Sequence, residues 1–207
     1  MKILQYLFIS LSHKILKLLP YKSIRILSVP IGTLYFLLTF RSSKKLFKRK
    51  EIFNELKINY KPLIVKINYT RYWLETLWLT NENFSKYISP HVEIENQEYV
   101  EKLKKQYPGL IFALPHLGNW EFAIPIGNSI KLNLLAVAEP LNNSYVLNWF
   151  KSLRESLGIE IIIGGKGQNT FDLLVNKLKS GKDICLLSER SIKKSGVATK
   201  FFGQLAA

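Results

Sequence analysis

The sequence predicts an α/β fold with a mainly parallel sheet that is flanked by helices. From residue 110 onward, short apolar runs of strand length alternate with longer segments that have helical spacing. This alternation is typical of a parallel sheet with helices packed on it. Residues 1–50 differ, because they combine apolar stretches with Lys and Arg and contain no Asp or Glu. We expect a helical region over residues 1–60 and an α/β domain over residues 61–207.

The first helical segment is predicted to be amphipathic. Over residues 1–20, apolar side chains keep helical spacing, namely Ile3, Leu4, Leu7, Phe8, Leu11, Ile15, Leu18 and Leu19. Residues 26–40 carry no charge, but a spanning helix needs about 20 residues. Pro30 and Gly32 are also expected to interrupt that stretch. We therefore expect a buried or interfacial helix pair instead of a transmembrane span.

The net charge of +15 indicates an anionic partner, either nucleic acid or an anionic membrane surface. The sequence contains no RNA-recognition signature, zinc-finger spacing or recognisable DNA-reading helix. Its basic residues are interleaved with Leu, Ile and Phe, and a polybasic cluster follows at Arg41, Lys44, Lys45, Lys48, Arg49 and Lys50. This arrangement favours a membrane surface with anionic lipids over nucleic acid.

The remaining elements follow from periodicity and turn signals. Helices are predicted over residues 64–79, 144–157 and 169–179, and strands over residues 110–114, 132–138, 159–163 and 183–187. The first of these strands is predicted to be buried. Cys185 lies within the last strand and is interpreted as a small core residue. Residues 164–167 follow the third strand and read as a flexible turn, in which Lys166 is a candidate contact for a phosphate.

One stretch carries the main candidate for chemistry. His116 follows the first strand in a turn, and Glu121 lies five residues later, after Asn119, which is a good N-cap type. On one continuous helix the two side chains would lie about 140° apart. They can meet only if His116 lies in the turn and Glu121 in the first helical turn. The carboxylate could then orient the imidazole as a general base.

Other charged residues are expected at the same edge of the sheet. Glu139 follows the second strand, and Glu189 and Arg190 follow the last one, while Arg154 lies on the helix after Glu139. Ligand sites of open parallel sheets gather at the carboxyl ends of the strands. The sequence therefore predicts one active site at this edge.

These motifs resemble those of a known family. His-Leu-Gly-Asn-Trp-Glu at residues 116–121 resembles the His-x4-Asp/Glu motif of the lysophospholipid acyltransferase superfamily, in the form typical of lipid A biosynthesis (lauroyl/myristoyl) acyltransferases. Residues 71–75, 138–141, 150–160 and 188–203 are similar to segments of the phosphatidylinositol mannoside acyltransferase branch. Lipid A enzymes commonly have Asp-Gln where this chain has Glu189 and Arg190. One departure is Ser191, where the mannoside branch often has Asp.

The resemblance implies a glycerol-3-phosphate acyltransferase-like fold with N-terminal membrane-associated helices. It implies transfer of a fatty acyl group from an acyl thioester to a sugar hydroxyl of a glycolipid, with phosphatidylinositol mannoside as the expected acceptor. The donor would be acyl-coenzyme A or an acyl carrier protein thioester, and no cofactor is expected to be bound. With three scattered His and one Cys, no metal site is expected. The expected location is the cytoplasmic face of the bacterial plasma (inner) membrane, as a peripheral or monotopic protein.

The resemblance also implies roles for individual residues. His116 would be the general base and Glu121 would fix its tautomer. Glu189 and Glu139 would bind or orient the acceptor hydroxyls, and Asn119 would contact the substrate. Arg154 and Arg190 would bind phosphate or structure the site, although an ion pair between Arg154 and Glu139 is an alternative.

Three other functions remain open at this point. The first is a lipid A lauroyl/myristoyl acyltransferase, and the second is a non-catalytic membrane-binding fragment. A nucleic-acid binder is the third. The family's domain continues beyond the Phe-Phe-Gly of residues 201–203, so the chain is expected to be truncated at its carboxyl end.

Overall fold

The computed structural model describes residues 1–40, 53, 57, 59, 61–164, 169–187, 199–201 and 204–206. The chain divides into two compact units, Met1–His91 and Val92–Ala207. The first unit contains helices and the second contains a sheet with its own helices. The expected α/β class is confirmed.

The first unit consists of four α-helices and a 3-10 turn among its described residues: α1 (Lys2–Leu16), α2 (Tyr21–Thr39), α3 (Pro62–Trp78), α4 (Asn81–Tyr87) and the turn Ser89–His91. Pro62 lies in the first turn of α3, where its missing N–H has no consequence. Thr80 begins α4 by accepting a hydrogen bond from the Asn83 N–H. Both α1 and α2 pack on α3. The helices predicted over residues 1–20 and 64–79 are confirmed.

Helix α2 runs without interruption through Pro30 and Gly32, so the predicted break is wrong. The buried residues of α2 are Ile24, Ser28 and Gly32, which recur every four residues and form one contact side. A Cβ atom at Gly32 would lie 2.6 Å from the Ile67 Cα of α3. Glycine is therefore required there for the close approach of two helices. Packing along this side offsets the cost of a proline in a helix, which is about 3 kcal/mol.

Polar contacts attach the segment that connects α1 to α2 to helices α3 and α4. The Tyr21 hydroxyl donates to Glu75 Oε1 at 2.8 Å, and Trp78 Nε1 donates to the Leu19 carbonyl at 2.9 Å. Asn83 Nδ2 donates to the Lys17 carbonyl at 2.8 Å. Burial and the neighbouring Glu75 carboxylate raise the pKa of Tyr21 to about 12, so this hydroxyl keeps its proton and remains a donor.

The second unit contains α5 (Gln97–Gln106), β1 (Ile111–Leu114), a 3-10 turn (Trp120–Phe122), α6 (Ala123–Ser129), β2 (Leu134–Ala138), α7 (Ser144–Ser156), β3 (Glu160–Ile163), α8 (Thr170–Lys179) and β4 (Asp183–Leu187). The four strands form a parallel sheet in the order β1-β4-β2-β3. A separate antiparallel pair joins β5 (Thr199–Phe201) to β6 (Gln204–Ala206). The predicted parallel sheet is confirmed, with strand ends within a few residues of those expected.

Strand β1 is not the buried strand that its apolar sequence predicted. Its side chains alternate between exposed and half-buried, and Ile111 is 58% exposed. Among the described strands β1 pairs only with β4, so it lies at the edge of the sheet. A strand buried on both faces and an edge strand can have equally apolar sequences, and only the pairing separates them.

Asp183 joins the amino ends of three strands. Its carboxylate is fully buried and accepts hydrogen bonds from the Leu110 N–H at 3.0 Å and the Asn133 N–H at 2.8 Å. Lys104 Nζ donates to both of its oxygens, at 2.8 and 3.0 Å. Leu110 precedes β1, Asn133 precedes β2 and Asp183 begins β4. This arrangement fixes the relative register of the strands, and with it the edge at which they end.

Candidate active site

The four strands end in one row at the carboxyl edge of the sheet. Leu114 of β1 pairs with Leu187 of β4, and Ala138 of β2 pairs with Ile163 of β3. His116 lies two residues after the end of β1, and Glu139 directly follows β2. Since β4 lies between β1 and β2, the ends of these two strands are about 10 Å apart. Both side chains are exposed at this edge.

The turn after β1 has the local structure that the sequence predicted. Gly118 adopts a positive φ of 64°, which a glycine accepts readily. Asn119 Oδ1 then accepts the Glu121 N–H at 3.1 Å and begins the 3-10 turn that leads into α6. His116 thus precedes the helical turn and Glu121 lies within it, as expected. The Asn119 side chain acts as a cap in this structure.

Glu121 is held by Arg154. The Glu121 carboxylate is only 2% exposed, and it accepts Arg154 Nη2 at 2.6 Å on Oε1 and Arg154 Nε at 3.0 Å on Oε2. The Arg154 guanidinium also lies 5.6 Å from the centre of the Phe150 ring. Such a bidentate pair holds both charged groups in a fixed orientation. Sequence spacing gave no signal for this pair, since its members are separated by 33 residues.

The His116 imidazole contacts an aromatic ring. The imidazole and the Trp120 indole meet edge to face, with ring centres 4.8 Å apart and planes at 84°. The exposed imidazole is therefore positioned by Trp120 while it remains accessible to a substrate. Trp120 was not among the predicted site residues. Trp120 is part of the motif, but the contact between its ring and His116 depends on the geometry of the turn and could not be predicted from their spacing.

The arrangement suits proton transfer. An ionised carboxylate has about four lone-pair sites, so a bidentate arginine leaves Glu121 with further acceptor capacity. An accessible imidazole in the same short segment can act as a general base near neutral pH. The chemistry available is thus removal of a proton from a bound nucleophile.

Three of the predicted contact residues, Glu189, Arg190 and Lys166, lie outside the described residues. Cys185, which was interpreted as a core residue, is half-buried, and burial together with the Asp183 charge raises its thiol pKa to about 11. A thiol with so high a pKa is a poor nucleophile at neutral pH.

The described part of the chain contains neither a metal-ligand cluster nor a membrane-spanning helix. No group of three or more His, Cys, Asp or Glu side chains there could hold a metal ion. None of the described helices combines the length and the apolar character that crossing a membrane requires.

Comparison with known proteins gave consistent matches. The model of a family described as bacterial lipid A biosynthesis acyltransferase matches residues 1–207. Phosphatidylinositol mannoside acyltransferase of Mycolicibacterium smegmatis is 30% identical over 141 residues, which cover 66% of this chain and 45% of that protein. The protein of the same name from Mycobacterium tuberculosis H37Rv is 30% identical over 140 residues, which cover 66% of this chain and 44% of its own length. The chain thus matches slightly less than half the length of these relatives.

Proposed function

Because this chain belongs to the family of bacterial lipid A biosynthesis acyltransferases, we propose that it moves a fatty acyl group from an acyl thioester to a sugar hydroxyl of a glycolipid. The acceptor we propose is phosphatidylinositol mannoside, after the name of the mycobacterial relatives. The observation that carries the proposal is an exposed His116 in the same turn segment as Glu121, whose buried carboxylate is paired with Arg154. The family description favours a lipid A precursor as the second candidate acceptor.

In the proposed reaction His116 removes the proton from the acceptor hydroxyl as its oxygen attacks the thioester carbonyl carbon. The tetrahedral intermediate then collapses, the carbon–sulfur bond breaks, and the thiolate takes the proton from His116. An ester and a free thiol result, with no change of oxidation state. The thiol belongs to coenzyme A or to an acyl carrier protein. Glu121 contributes by stabilising the charged imidazolium that forms between the two steps.

Arg154 is a positioning residue in this mechanism. Its bidentate contact with Glu121, at 2.6 and 3.0 Å, fixes the orientation of the buried carboxylate. Glu139 and Glu189 are proposed to bind acceptor hydroxyls, and Arg190 to bind a phosphate, as carboxylate and guanidinium groups are suited to do. Asn119 supports the site through its cap on the turn.

We further propose that the first unit docks on the cytoplasmic leaflet of the plasma membrane. Six exposed apolar side chains cover about 140° of α1 at 3.6 residues per turn, and the exposed Leu18 follows the helix. The six are Ile3, Leu4, Leu7, Phe8, Leu11 and Ile15. The less exposed side of α1 is mixed, since it includes Ser10, Ser12 and His13 as well as Ile9 and Leu16. His13 Nδ1 lies 2.7 Å from the Leu77 carbonyl of α3. The helix thus directs its apolar side outward.

Helix α2 also exposes large apolar side chains to solvent. It packs small and polar residues such as Ser28 and Gly32 against α3, while its exposed residues include Ile26, Val29, Ile31, Leu34, Leu37 and Leu38. Large exposed apolar surfaces on soluble monomers normally mark an interaction site. The acid-free sequence around these helices supplies cations that an anionic leaflet would attract, among them Lys14, Lys17, Lys22 and Arg25.

Acyl transfer from labelled palmitoyl-coenzyme A tests the proposed function. Mannosylated phosphatidylinositol and a lipid A precursor are offered in parallel, and a palmitoyl acyl carrier protein replaces the donor in a third arm. We expect label in the mannoside, and its loss in His116→Ala. His91→Ala is the matched control, because His91 is an exposed histidine of the first unit. It should retain the activity of the unchanged chain.

The outcomes separate the alternatives. Label in the lipid A precursor would identify that lipid as the acceptor and would leave the proposed mechanism unchanged. Substantial turnover by His116→Ala would exclude the general-base role. Binding to membranes without transfer to either acceptor would favour a non-catalytic membrane-binding protein.

A further inference from the structure

The turn after β1 holds His116 at its apex. The Leu117 N–H donates to the Pro115 carbonyl at 2.8 Å, and a hydrogen bond between residues two apart defines a γ-turn, here with His116 at its centre. His116 is not among the described residues with a positive φ, so the turn has the inverse, low-energy form. The backbone itself therefore displays the candidate base at the apex of a tight turn.

Gly118 lets the chain return toward His116 after this turn. Its φ of 64° is the one positive φ within residues 115–120, all of which the structure describes. The Trp120 indole then meets the His116 imidazole edge to face, with ring centres 4.8 Å apart. The chain must fold back between the two rings for them to touch, and at Gly118 it departs from ordinary extended or helical backbone. The contact that orients the imidazole therefore depends on the backbone of Gly118.

Lack of space does not explain the glycine. A Cβ atom built at Gly118 would have no heavy atom within 4 Å beyond its neighbours in the chain. At Gly109, by contrast, a Cβ atom would collide with the backbone carbonyls of Leu178 and Lys182. Residues other than glycine adopt a positive φ only at a cost, because their Cβ approaches a backbone carbonyl oxygen. The feature of Gly118 that most other residues would lose is thus its conformation.

We propose that Gly118 is a positioning residue for the candidate base, because its positive φ closes the turn that holds the His116 imidazole against Trp120. The inference rests on the proposed function, since it assigns Gly118 a part in acyl transfer through His116. Gly118 acts on the imidazole through the backbone and takes no proton itself. Loss of its conformation should therefore lower kcat, while the acceptor should still bind with an unchanged KM.

Two substitutions separate conformation from space. Asparagine is larger than alanine but tolerates a positive φ, as Asn96 does in this chain with a φ of 57°. We expect Gly118→Ala to lower kcat about tenfold with little change in KM, and Gly118→Asn to keep most of the kcat. The reverse order, with a raised KM in Gly118→Asn, would overturn the proposal, because it would show that a substrate needs the open space beside Gly118. Equal kcat values for the two variants, whether reduced or not, would overturn it too.

Gly181→Ala is the matched control. Gly181 also has a positive φ, of 93°, but it lies between α8 and β4 at the amino edge of the sheet, opposite the candidate site. A Cβ atom there would lie 3.4 Å from the Pro108 carbonyl oxygen, which is an ordinary contact distance. Gly181→Ala should lower the melting temperature as Gly118→Ala does, and keep the kcat of the unchanged chain. An equal loss of kcat in Gly181→Ala would assign both losses to general destabilisation and overturn the proposal.

The position of the imidazole can also be measured without turnover. NMR of the chain with isotope-labelled histidine gives ring signals for three residues, and His116→Ala identifies the signal of His116. The Trp120 indole shifts this signal through its ring current, and Trp120→Leu shows the size of that shift. Gly118→Ala should move the His116 signal toward its position in Trp120→Leu, whereas Gly118→Asn should leave it close to that of the unchanged chain. An unmoved signal in Gly118→Ala would overturn the proposal.

Failure of the proposed function is distinguishable from these results. It would appear as no transfer by the unchanged chain to either acceptor. The NMR measurement would still show whether Gly118 holds His116 against Trp120.

Discussion

The buried Glu121 carboxylate is paired with the Arg154 guanidinium. We expect Arg154→Ala to lower the free energy of unfolding by about 3 kcal/mol, because it leaves a buried carboxylate without its cation. Glu121→Ala should also destabilise the protein, and the double variant should cost less than the sum of the two single variants by about 1–3 kcal/mol. Urea unfolding measures all three values.

Lys151→Ala provides the control for this cycle. Lys151 lies on the same helix, and its Nζ is 3.7 Å from Glu155 Oε1 in an ion pair whose two side chains are both exposed to solvent. Its removal should change the free energy of unfolding by no more than about 0.5 kcal/mol. Additive single effects of Glu121→Ala and Arg154→Ala would show that the ion pair is not energetically coupled.

Cys185 gives a prediction for pH dependence. Its thiol pKa is raised from 9.0 to about 11 by burial and by Asp183, so the folded state favours the protonated form. The associated stability is present below pH 9, the value for the unfolded chain, and is lost as the pH rises through 11. At pH 8 iodoacetamide should react about 100-fold more slowly with the native chain than with the urea-unfolded chain. Equal rates for the two states would contradict the raised pKa, and the single cysteine makes the measurement unambiguous.

At the candidate site, the sequence predicted the local structure better than the long-range partners. His116 and Glu121 could be placed around a helix start, because capping by Asn119 depends on neighbouring residues alone. The partner of Arg154 could not be deduced in the same way. Arg154 was expected to bind a phosphate, to structure the site or to pair with Glu139, and the structure pairs it with Glu121. That choice depends on how α7 packs against the turn after β1, which no spacing in the sequence encodes.

At the scale of elements, the contact between α2 and α3 depends on Gly32. In an ordinary helix Gly→Ala stabilises by about 1 kcal/mol. At this position the new Cβ would lie 2.6 Å from Ile67 Cα and 3.0 Å from Ile67 Cγ1, so the helices must separate. We expect Gly32→Ala to destabilise the protein by about 1–3 kcal/mol. Thermal unfolding followed by circular dichroism measures the change.

Thr33→Ala tests the same helix one residue later. The Thr33 hydroxyl donates to the Val29 carbonyl within α2 at an exposed position. This substitution should therefore stabilise slightly, by a few tenths of a kcal/mol, roughly the difference in helix propensity. A stabilising Gly32→Ala would mean that the two helices can slide apart at little cost.

The elements themselves were largely predictable, but their arrangement was not. Alternating strand and helix patterns predicted the parallel sheet, because a parallel connection requires a crossover and a helix is the usual one. The order β1-β4-β2-β3 is decided by which strands share buried neighbours, so the edge position of β1 was missed. The continuity of α2 through Pro30 was missed for a related reason. The packing along α3 that offsets the cost of the proline lies more than thirty residues away in the sequence.

For the whole molecule, the net charge of +15 and the outward apolar sides of α1 and α2 predict membrane binding with two separable components. The electrostatic component comes from cations such as Lys14 and Lys17, each contributing about 1 kcal/mol near an anionic leaflet. It should weaken as the Debye length falls from about 10 Å at 0.1 M salt to about 3 Å at 1 M. The apolar component should persist at high salt.

Vesicle flotation over a salt series separates the two components. The double variant Lys14→Gln and Lys17→Gln should bind anionic vesicles more weakly at low salt. At 1 M salt it should have little effect, because screening has already removed the electrostatic attraction. Leu7→Ser with Phe8→Ser should weaken binding by a similar factor at every salt concentration, because apolar burial does not depend on screening. If both variants lost affinity only at low salt, the apolar sides of the helices would not enter the bilayer. Displacement of the chain from vesicles by duplex DNA at physiological salt would instead assign the positive charge to nucleic-acid binding.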